Sequence, residues 1–192
     1  MSNLEQMRTM LKRELHDEEE ADQLWNDEEL DRCLSRAVRE FSTVCPRQVK
    51  AALYTVAGSR EVDISALSDR VRVYAVEYPS GQEPPAFTPF TLWGNTLSLA
   101  DVTPDGTQCN IYYGALHVID ASGSTIPAPF EEIIISGAAG YAVLLQATAT
   151  VNRINTGGSR TPEQFLTLAS ERLACFRAEL RRIKKLNVIS LA

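Results

Sequence analysis

The chain has 192 residues, 44% of them hydrophobic and 23% charged, so it can bury one core with at most a modest insertion. Its formal net charge of -6 argues against a general nucleic-acid binder, because such proteins carry a basic surface. No apolar run reaches the length of about 20 residues that a helix needs to cross a bilayer, and the N-terminus lacks a secretory signal. We therefore expect a protein made in a cytoplasm, without a membrane partner.

The four cysteines, Cys33, Cys45, Cys109 and Cys175, are scattered and form no C-x-x-C pair. This pattern is typical of buried thiols in a reducing compartment rather than of a disulfide framework. A zinc site built from Cys33, Cys45, Cys109 and His117 is disfavoured, because it has no closely spaced ligand pair. We predict neither a metal nor another cofactor.

The first predicted helix carries an apolar stripe along its length. Its members, Leu4, Met7, Leu11 and Leu15, recur at helical spacing with charged residues between them. An acidic stretch, 17–22, follows this helix and separates it from the next one.

A second helix start lies at Asn26, whose side chain can cap the first turn while Glu29 reaches back to the cap. Trp25 and Leu30 stand at the two positions of a hydrophobic staple across that start. Pro46 ends the helix, because proline disfavours the helical conformation of the residue before it.

The middle of the chain, roughly 48–120, alternates between apolar and polar residues and predicts a β-rich insertion. The first predicted hairpin pairs a strand at 49–56 with one at 62–64, and a further strand follows at 70–78. A second hairpin pairs 87–93 with Thr96–Leu99 across the turn Gly94-Asn95. One or two more strands are predicted within 109–119.

Two further helices are predicted after the insertion. Pro127 and Pro129 stand where a helix can begin, and the apolar run that follows is typical of a helix buried on all sides. The last helix has Thr161 as its cap, Pro162 as its first residue and Gln164 completing a capping box. We expect a single α+β domain of about four helices (1–46 and 127–185), with the β-rich insertion 48–120 between the second and third helices and a tail 186–192.

Catalysis is not indicated by the sequence. The chain has only two histidines, His16 and His117, and we interpret both as structural. It contains no nucleophile elbow, zinc-protease motif, phosphate-binding loop or dinucleotide fingerprint. We therefore predict that the protein is not an enzyme.

Three segments are candidate interaction surfaces. The acids at 17–20 could repel a DNA backbone in a channel, steer a basic partner, or form a solvated loop. The basic end of the last helix could contact DNA or an acidic partner, or complement the helix dipole. The apolar tail either folds back or docks on a partner. The acidic candidates are Asp17, Glu18, Glu19 and Glu20; the docking candidates are Arg181, Arg182, Lys184, Lys185, Leu186, Val188, Ile189 and Leu191.

The helix signature W-N-D-E-E-L at 25–30, continued at 34–41, resembles the first core helix of the head-to-tail adaptor (connector) family of tailed bacteriophages. The segment 126–133 with 137–141 is similar to that family's proline-led, alanine-rich central helix, and a charged helix with an extended tail completes the order. The resemblance covers 23–45 and 124–192. The β-rich middle is nearer in layout to adaptors that carry a β domain between their helices.

The resemblance implies a structural virion protein at the head–tail junction, assembled in the host cytoplasm. It implies a homo-oligomeric ring, usually of twelve copies, below the portal protein, with the segment 186–191 gripping the portal. The β region would face the downstream neck or tail protein, and DNA would pass through the lumen without sequence-specific binding.

Other classes stay open as alternatives. Another neck or tail-completion protein, such as a stopper or tail terminator, would be mostly β, which four helical segments disfavour. A non-viral nucleic-acid-binding or regulatory module could use the final basic helix, although the net charge of -6 opposes it.

Overall fold

A computed structural model describes residues 2–19, 23–100, 104–150 and 162–189, without the side chains of Thr150 and of 186–189. In this part of the chain the helices are α1 (Leu4–Leu15), α2 (Asp27–Val44), α3 (Glu131–Thr150) and α4 (Pro162–Ile189). The strands are β1 (Arg47–Tyr54), β2 (Glu61–Asp63), β3 (Arg70–Glu77), β4 (Phe90–Trp93), β5 (Thr96–Leu99) and β6 (Gln108–Ala115). The fold is α+β with a β-rich insertion between the second and third helices, which confirms the predicted class.

The chain divides into a helical unit, Met1–Cys45 with His117–Ala192, and a β unit, Pro46–Leu116. Each unit has a hydrophobic core of its own. The segment after β6 belongs to the helical unit, where the carbonyl of Asp120 accepts a hydrogen bond from the Leu4 N–H at 3.0 Å. The β unit is thus Pro46–Leu116, where the sequence analysis placed the insertion at roughly 48–120.

The start of α2 is the capping box that the sequence predicts. The Asn26 side chain accepts from the Glu29 N–H at 2.9 Å, and the Glu29 carboxylate accepts from the Asn26 N–H at 3.0 Å. These two bonds satisfy amides that a helix start otherwise leaves unpaired. An equivalent box between Asn3 and Gln6 starts α1.

Helix α3 lies in the middle of the helical unit and contacts α1, α2 and α4. The segment Ala128–Ala149, which joins the short 3-10 helix Ala128–Phe130 to α3, is by length and composition apolar enough to cross a membrane, contrary to the sequence expectation. Its large apolar side chains are buried or partly buried against the helical core, as expected for the core helix of a globular unit. A Cβ added at Gly137 would lie 2.8 Å from the Phe176 ring, so this glycine permits the close approach of α4.

The β unit consists of two antiparallel three-stranded sheets, ordered β1-β6-β3 and β2-β5-β4. The hairpin of β4 and β5 across Gly94-Asn95 is confirmed, with Trp93 paired to Thr96. The predicted hairpin between the segments that form β1 and β2 is wrong. The eight-residue β1 pairs along its whole length with the equally long β6, whereas the three-residue β2 pairs with β5.

Helix α4 is longer than the sequence predicted, because residues 186–189 continue it instead of beginning an extended tail. No glycine or proline follows Lys185 to end the helix there, so the predicted boundary lacked a stop signal. The predicted cap Thr161 and the last three residues, 190–192, lie outside the described residues.

Candidate interaction surfaces

The basic end of α4 is exposed to solvent. Leu180 and Ile183 are buried against the helical core, and the cationic side chains occupy the other sides of the helix. Arg182 pairs with Glu179 at 3.0 Å but keeps 72% of its side chain exposed, so this ion pair leaves the cation accessible. The exposed cations are Arg181, Arg182, Lys184 and Lys185.

The apolar docking candidates fall at and beyond the last turn of α4. Leu186, Val188 and Ile189 lie on the helical backbone of that turn. Leu191 lies outside the described residues. The backbone places this segment directly after the exposed cations, so any partner of one segment would lie beside the other.

The acidic candidates do not form one surface. Asp17 is only 5% exposed, and its carboxylate accepts hydrogen bonds from the backbone N–H groups of Leu24 at 2.7 Å and Trp25 at 3.3 Å. Its interpretation as a channel- or partner-facing acid is therefore wrong, because the carboxylate is used to hold the chain entering α2. Glu18 and Glu19 are exposed, with Glu18 3.7 Å from Arg13, and Glu20 lies outside the described residues.

Both histidines have structural positions. His16 caps the C-terminus of α1 in the left-handed conformation, with φ 53° and ψ 43°. His117 is buried, and its two ring nitrogens lie 2.9 Å from the Thr125 carbonyl oxygen and 3.0 Å from the Cys45 carbonyl oxygen. The described ranges contain no group of three or more His, Cys, Asp or Glu side chains placed to hold a metal ion.

A groove between α2 and α3 was not predicted from the sequence. It has a volume of about 300 Å³, and we call it the α2/α3 groove. Its apolar floor includes Cys33 and Leu145, and burial raises the pKa of the Cys33 thiol to about 11, so that thiol stays protonated. The lining residues are Glu29, Arg32, Cys33, Arg36, Tyr141, Leu144, Leu145 and Thr148.

Two arginines at this groove are exposed. The Arg36 guanidinium lies 4.1 Å from the centre of the Tyr141 ring, in a cation–π contact. Within the described ranges, no carboxylate lies at ion-pair distance from Arg32 or Arg36. The hydroxyl of Tyr141 donates to Glu40, which also accepts from Arg177 at 3.1 Å, so α2, α3 and α4 are joined below the groove.

The turn between β4 and β5 presents an exposed tryptophan. Trp93 is 90% exposed, and the neighbouring Leu92 is also exposed. The turn is held from two sides: Arg70 donates to the Gly94 carbonyl and to the Asn95 side chain, each at 3.2 Å, and the Asn95 carbonyl accepts from Ile64 N–H at 2.9 Å. The indole thus projects from a braced turn.

The outer face of the β1-β6-β3 sheet carries a polar network centred on Glu77. This side chain is nearly buried and accepts from Gly81 N–H at 2.8 Å, Tyr112 hydroxyl at 2.7 Å and Asn110 amide at 3.0 Å. The Lys50 ammonium lies 3.4 Å away. These donors, led by the Gly81 N–H, lower the pKa of Glu77 to about 2, so we assign the network a structural role.

The sequence carries partial signals for the surfaces it missed. Trp93 directly precedes the predicted Gly94-Asn95 turn, so its place at a hairpin tip could have been found. The groove joins residues about 110 positions apart, and no local pattern marks it. A search of protein-family models finds no match to this chain, and a search of curated proteins finds none either.

Proposed function

We propose that this chain is a structural head-to-tail adaptor of a tailed bacteriophage, not an enzyme. In this role it forms a ring below the portal protein, joins the capsid to the downstream neck or tail protein, and lets DNA pass. The protein would act in the virion at the head–tail junction, after assembly in the host cytoplasm.

The observation that carries the proposal is the order of the two units along the chain. A β unit, Pro46–Leu116, is inserted between the second and third helices of a helical unit, which is the layout that the adaptor resemblance implies. A stopper or tail terminator would be mostly β. The four described helices form the larger of the two units, so this layout is less compatible with such a protein.

The exposed end of α4 supports a docking role for the C-terminal segment. Four exposed cations, which include Arg182, precede the apolar residues of the last turn, so a partner with an acidic rim and an apolar groove would match both features. Because each subunit contributes few apolar side chains, firm attachment would depend on many simultaneous contacts around a ring.

The same cations also fit the alternative of a nucleic-acid-binding module. That alternative predicts binding to linear DNA with an affinity that falls steeply as salt rises, because counterions are released from the phosphates. The adaptor predicts weak DNA binding, since the whole chain is acidic. A filter-binding titration at two salt concentrations distinguishes the two.

The direct test mixes the purified protein with the portal protein encoded in the same genome. Sedimentation and electron microscopy should show the chain assembling as a ring on the portal, and much smaller species when the portal is left out. A stable symmetric dimer that is indifferent to the portal would contradict the proposal. The doubly substituted variant Lys184→Glu, Lys185→Glu should lose assembly while its helical signal in circular dichroism is kept.

A further inference from the structure

We propose that the Trp93 side chain of one copy inserts into the α2/α3 groove of a second copy. This inference deepens the proposed function by naming a contact between neighbouring subunits, and it rests on that function. The indole and the groove are different surfaces of the same chain, so the contact is head-to-tail, the kind that closes into rings.

The indole has the properties of an interface anchor. Tryptophan is enriched among the residues that dominate binding energy, and it loses little conformational freedom on binding because only two side-chain torsions are fixed. The Trp93 side chain is 90% exposed, so it contributes little to the packing of its own subunit. Hydrogen bonds from Arg70 and Ile64 already hold the turn in place. The anchor is therefore preorganised.

The groove matches this anchor in size and chemistry. Its volume of about 300 Å³ is at the lower limit for small-molecule sites, which suits one large side chain better than an extended ligand. Leu144 and Leu145 offer apolar contacts to the ring. Glu29 and Thr148 supply oxygen atoms at the groove that can accept the indole N–H.

The charges at the two surfaces favour a second copy as the occupant. Arg32 and Arg36 are exposed beside the groove, and an indole face is the best aromatic partner for a guanidinium. The segment 87–100 around Trp93 contains no charged residue, and the Arg70 guanidinium that contacts the turn already donates to the Gly94 carbonyl and to the Asn95 side chain. An anionic ligand would meet Glu29 in the same groove.

The contact is too small to hold two copies together by itself. A tryptophan buries about 150–250 Å², whereas a specific stable interface buries about 1,200–2,000 Å² in total. We therefore expect it to be weak between free subunits and to contribute mainly when many copies are held in a ring.

The test uses the indole N–H resonances of the full-length ¹⁵N-labelled protein, which has two tryptophans. As the protein concentration rises to about 1 mM, the Trp93 resonance should shift, while that of the buried Trp25 should not. The Trp93→Phe variant keeps only the Trp25 indole, so its spectrum shows which of the two resonances belongs to Trp93. A Trp93 resonance independent of concentration would overturn the proposal.

Variants of the groove identify the docking site. Thr148→Tyr fills the groove and should abolish the concentration dependence of the Trp93 resonance, whereas Ala149→Tyr, on the next position of α3 and outside the groove, should keep it. Arg32→Ala should weaken the association about two- to fivefold, and Arg39→Ala, exposed elsewhere on α2, should not change it. A Trp93 shift that persists in Thr148→Tyr means that the indole docks elsewhere, and it refutes the proposed site.

Complementation tests the head-to-tail arrangement. Labelled Thr148→Tyr protein keeps the indole but has no open groove, and unlabelled Trp93→Ala protein keeps only the groove. Mixed together they should restore the Trp93 shift and sediment no further than a dimer, because only one contact can form. If Trp93 responds only to an added neck protein or to lipid vesicles, the occupant is not a second copy.

The outcome is separable from that of the adaptor proposal. If Trp93→Ala protein still assembles normally on the portal and wild-type Trp93 shows no self-contact, this inference fails and the adaptor role stands. If the self-contact forms but the portal recruits no ring, the adaptor role fails instead.

Discussion

The indole N–H of Trp25 donates to the backbone carbonyl of Ala142 at a distance of 2.8 Å, which links the start of α2 to the middle of α3. Trp25 is buried, and the carboxylate of Asp17 holds its backbone N–H from the other side. The two tryptophans of this chain therefore have opposite surroundings, since Trp93 projects into solvent.

The first prediction compares conservative substitutions at these two tryptophans. Trp25→Phe removes the bond to Ala142 and leaves unfilled space in the core, so it should lower the free energy of unfolding by about 1–3 kcal/mol. Trp93→Phe should change it by less than about 0.5 kcal/mol, because an exposed ring loses no packing. Chemical denaturation followed by circular dichroism measures both, and equal losses would contradict the assigned burial.

The second prediction concerns the two glycines of α3. In Gly137→Ala the new methyl group would lie 2.8 Å from the Phe176 ring, and this crowding should destabilise the protein by about 1–3 kcal/mol. In Gly140→Ala the nearest atoms, Cδ2 and Cγ of Leu173, are 3.0 Å away, so this side chain needs to shift only by a few tenths of an ångström, while alanine gains about 1 kcal/mol of helix propensity. Gly140→Ala should thus be nearly neutral in thermal melts.

Local chemistry explains which parts of the fold could be predicted from the sequence. A capping box requires only Asn26 and Glu29 three residues apart, and the β4–β5 hairpin requires Gly94, whose φ of 59° suits glycine, beside Asn95. Both were predicted correctly because the residues that determine each feature lie within four consecutive positions of the chain.

Pairing between distant segments explains the errors. β1 had two candidate partners, and the sequence favoured the nearer one, β2, although β6 lies more than 50 residues away and offers eight paired positions. Asp17 was grouped with the acids that follow it, because no local pattern shows that the backbone N–H groups of Leu24 and Trp25 donate hydrogen bonds to its carboxylate.

The third prediction tests the corrected role of Asp17. Asp17→Ala leaves the backbone N–H groups of Leu24 and Trp25 without their acceptor, and this should cost about 1–3 kcal/mol of stability. Glu19→Ala, at an exposed position two residues away, should fall within about 0.5 kcal/mol of the wild type. A stable Asp17→Ala protein that fails only in assembly would restore the partner-facing interpretation.

The fourth prediction concerns the acid stability of the β unit. The pKa of Glu77 is lowered from 4.5 to about 2 in the folded state, so the unfolded state takes up its proton first as the pH falls. The stabilisation from Glu77 is complete above pH 4.5 and is lost as the pH falls toward 2. Glu77→Gln should flatten the decline of stability across that window, and Glu61→Gln, exposed in β2, should not.

The last prediction concerns the C-terminal segment. Truncation after Lys185 removes the final helical turn, 186–189, together with the residues that follow it. Among the described side chains of α4, those buried in the helical core, which include Phe176, Leu180 and Ile183, precede the cut, so the melting temperature should change little. Helix ends also fray readily, which limits what one terminal turn can add to stability.

The truncated protein should nevertheless fail to assemble on the portal. Each docked apolar side chain contributes about 1.5–3 kcal/mol, and ordering the backbone costs about 1–2 kcal/mol for each residue that was not already helical. Residues 186–189 already have a helical backbone, so their docking carries less of this ordering cost than docking of a disordered tail. Sedimentation with the portal, alongside thermal melts of both proteins, measures the two effects. A truncated protein that melts many degrees lower would mean that this turn belongs to the core of the subunit.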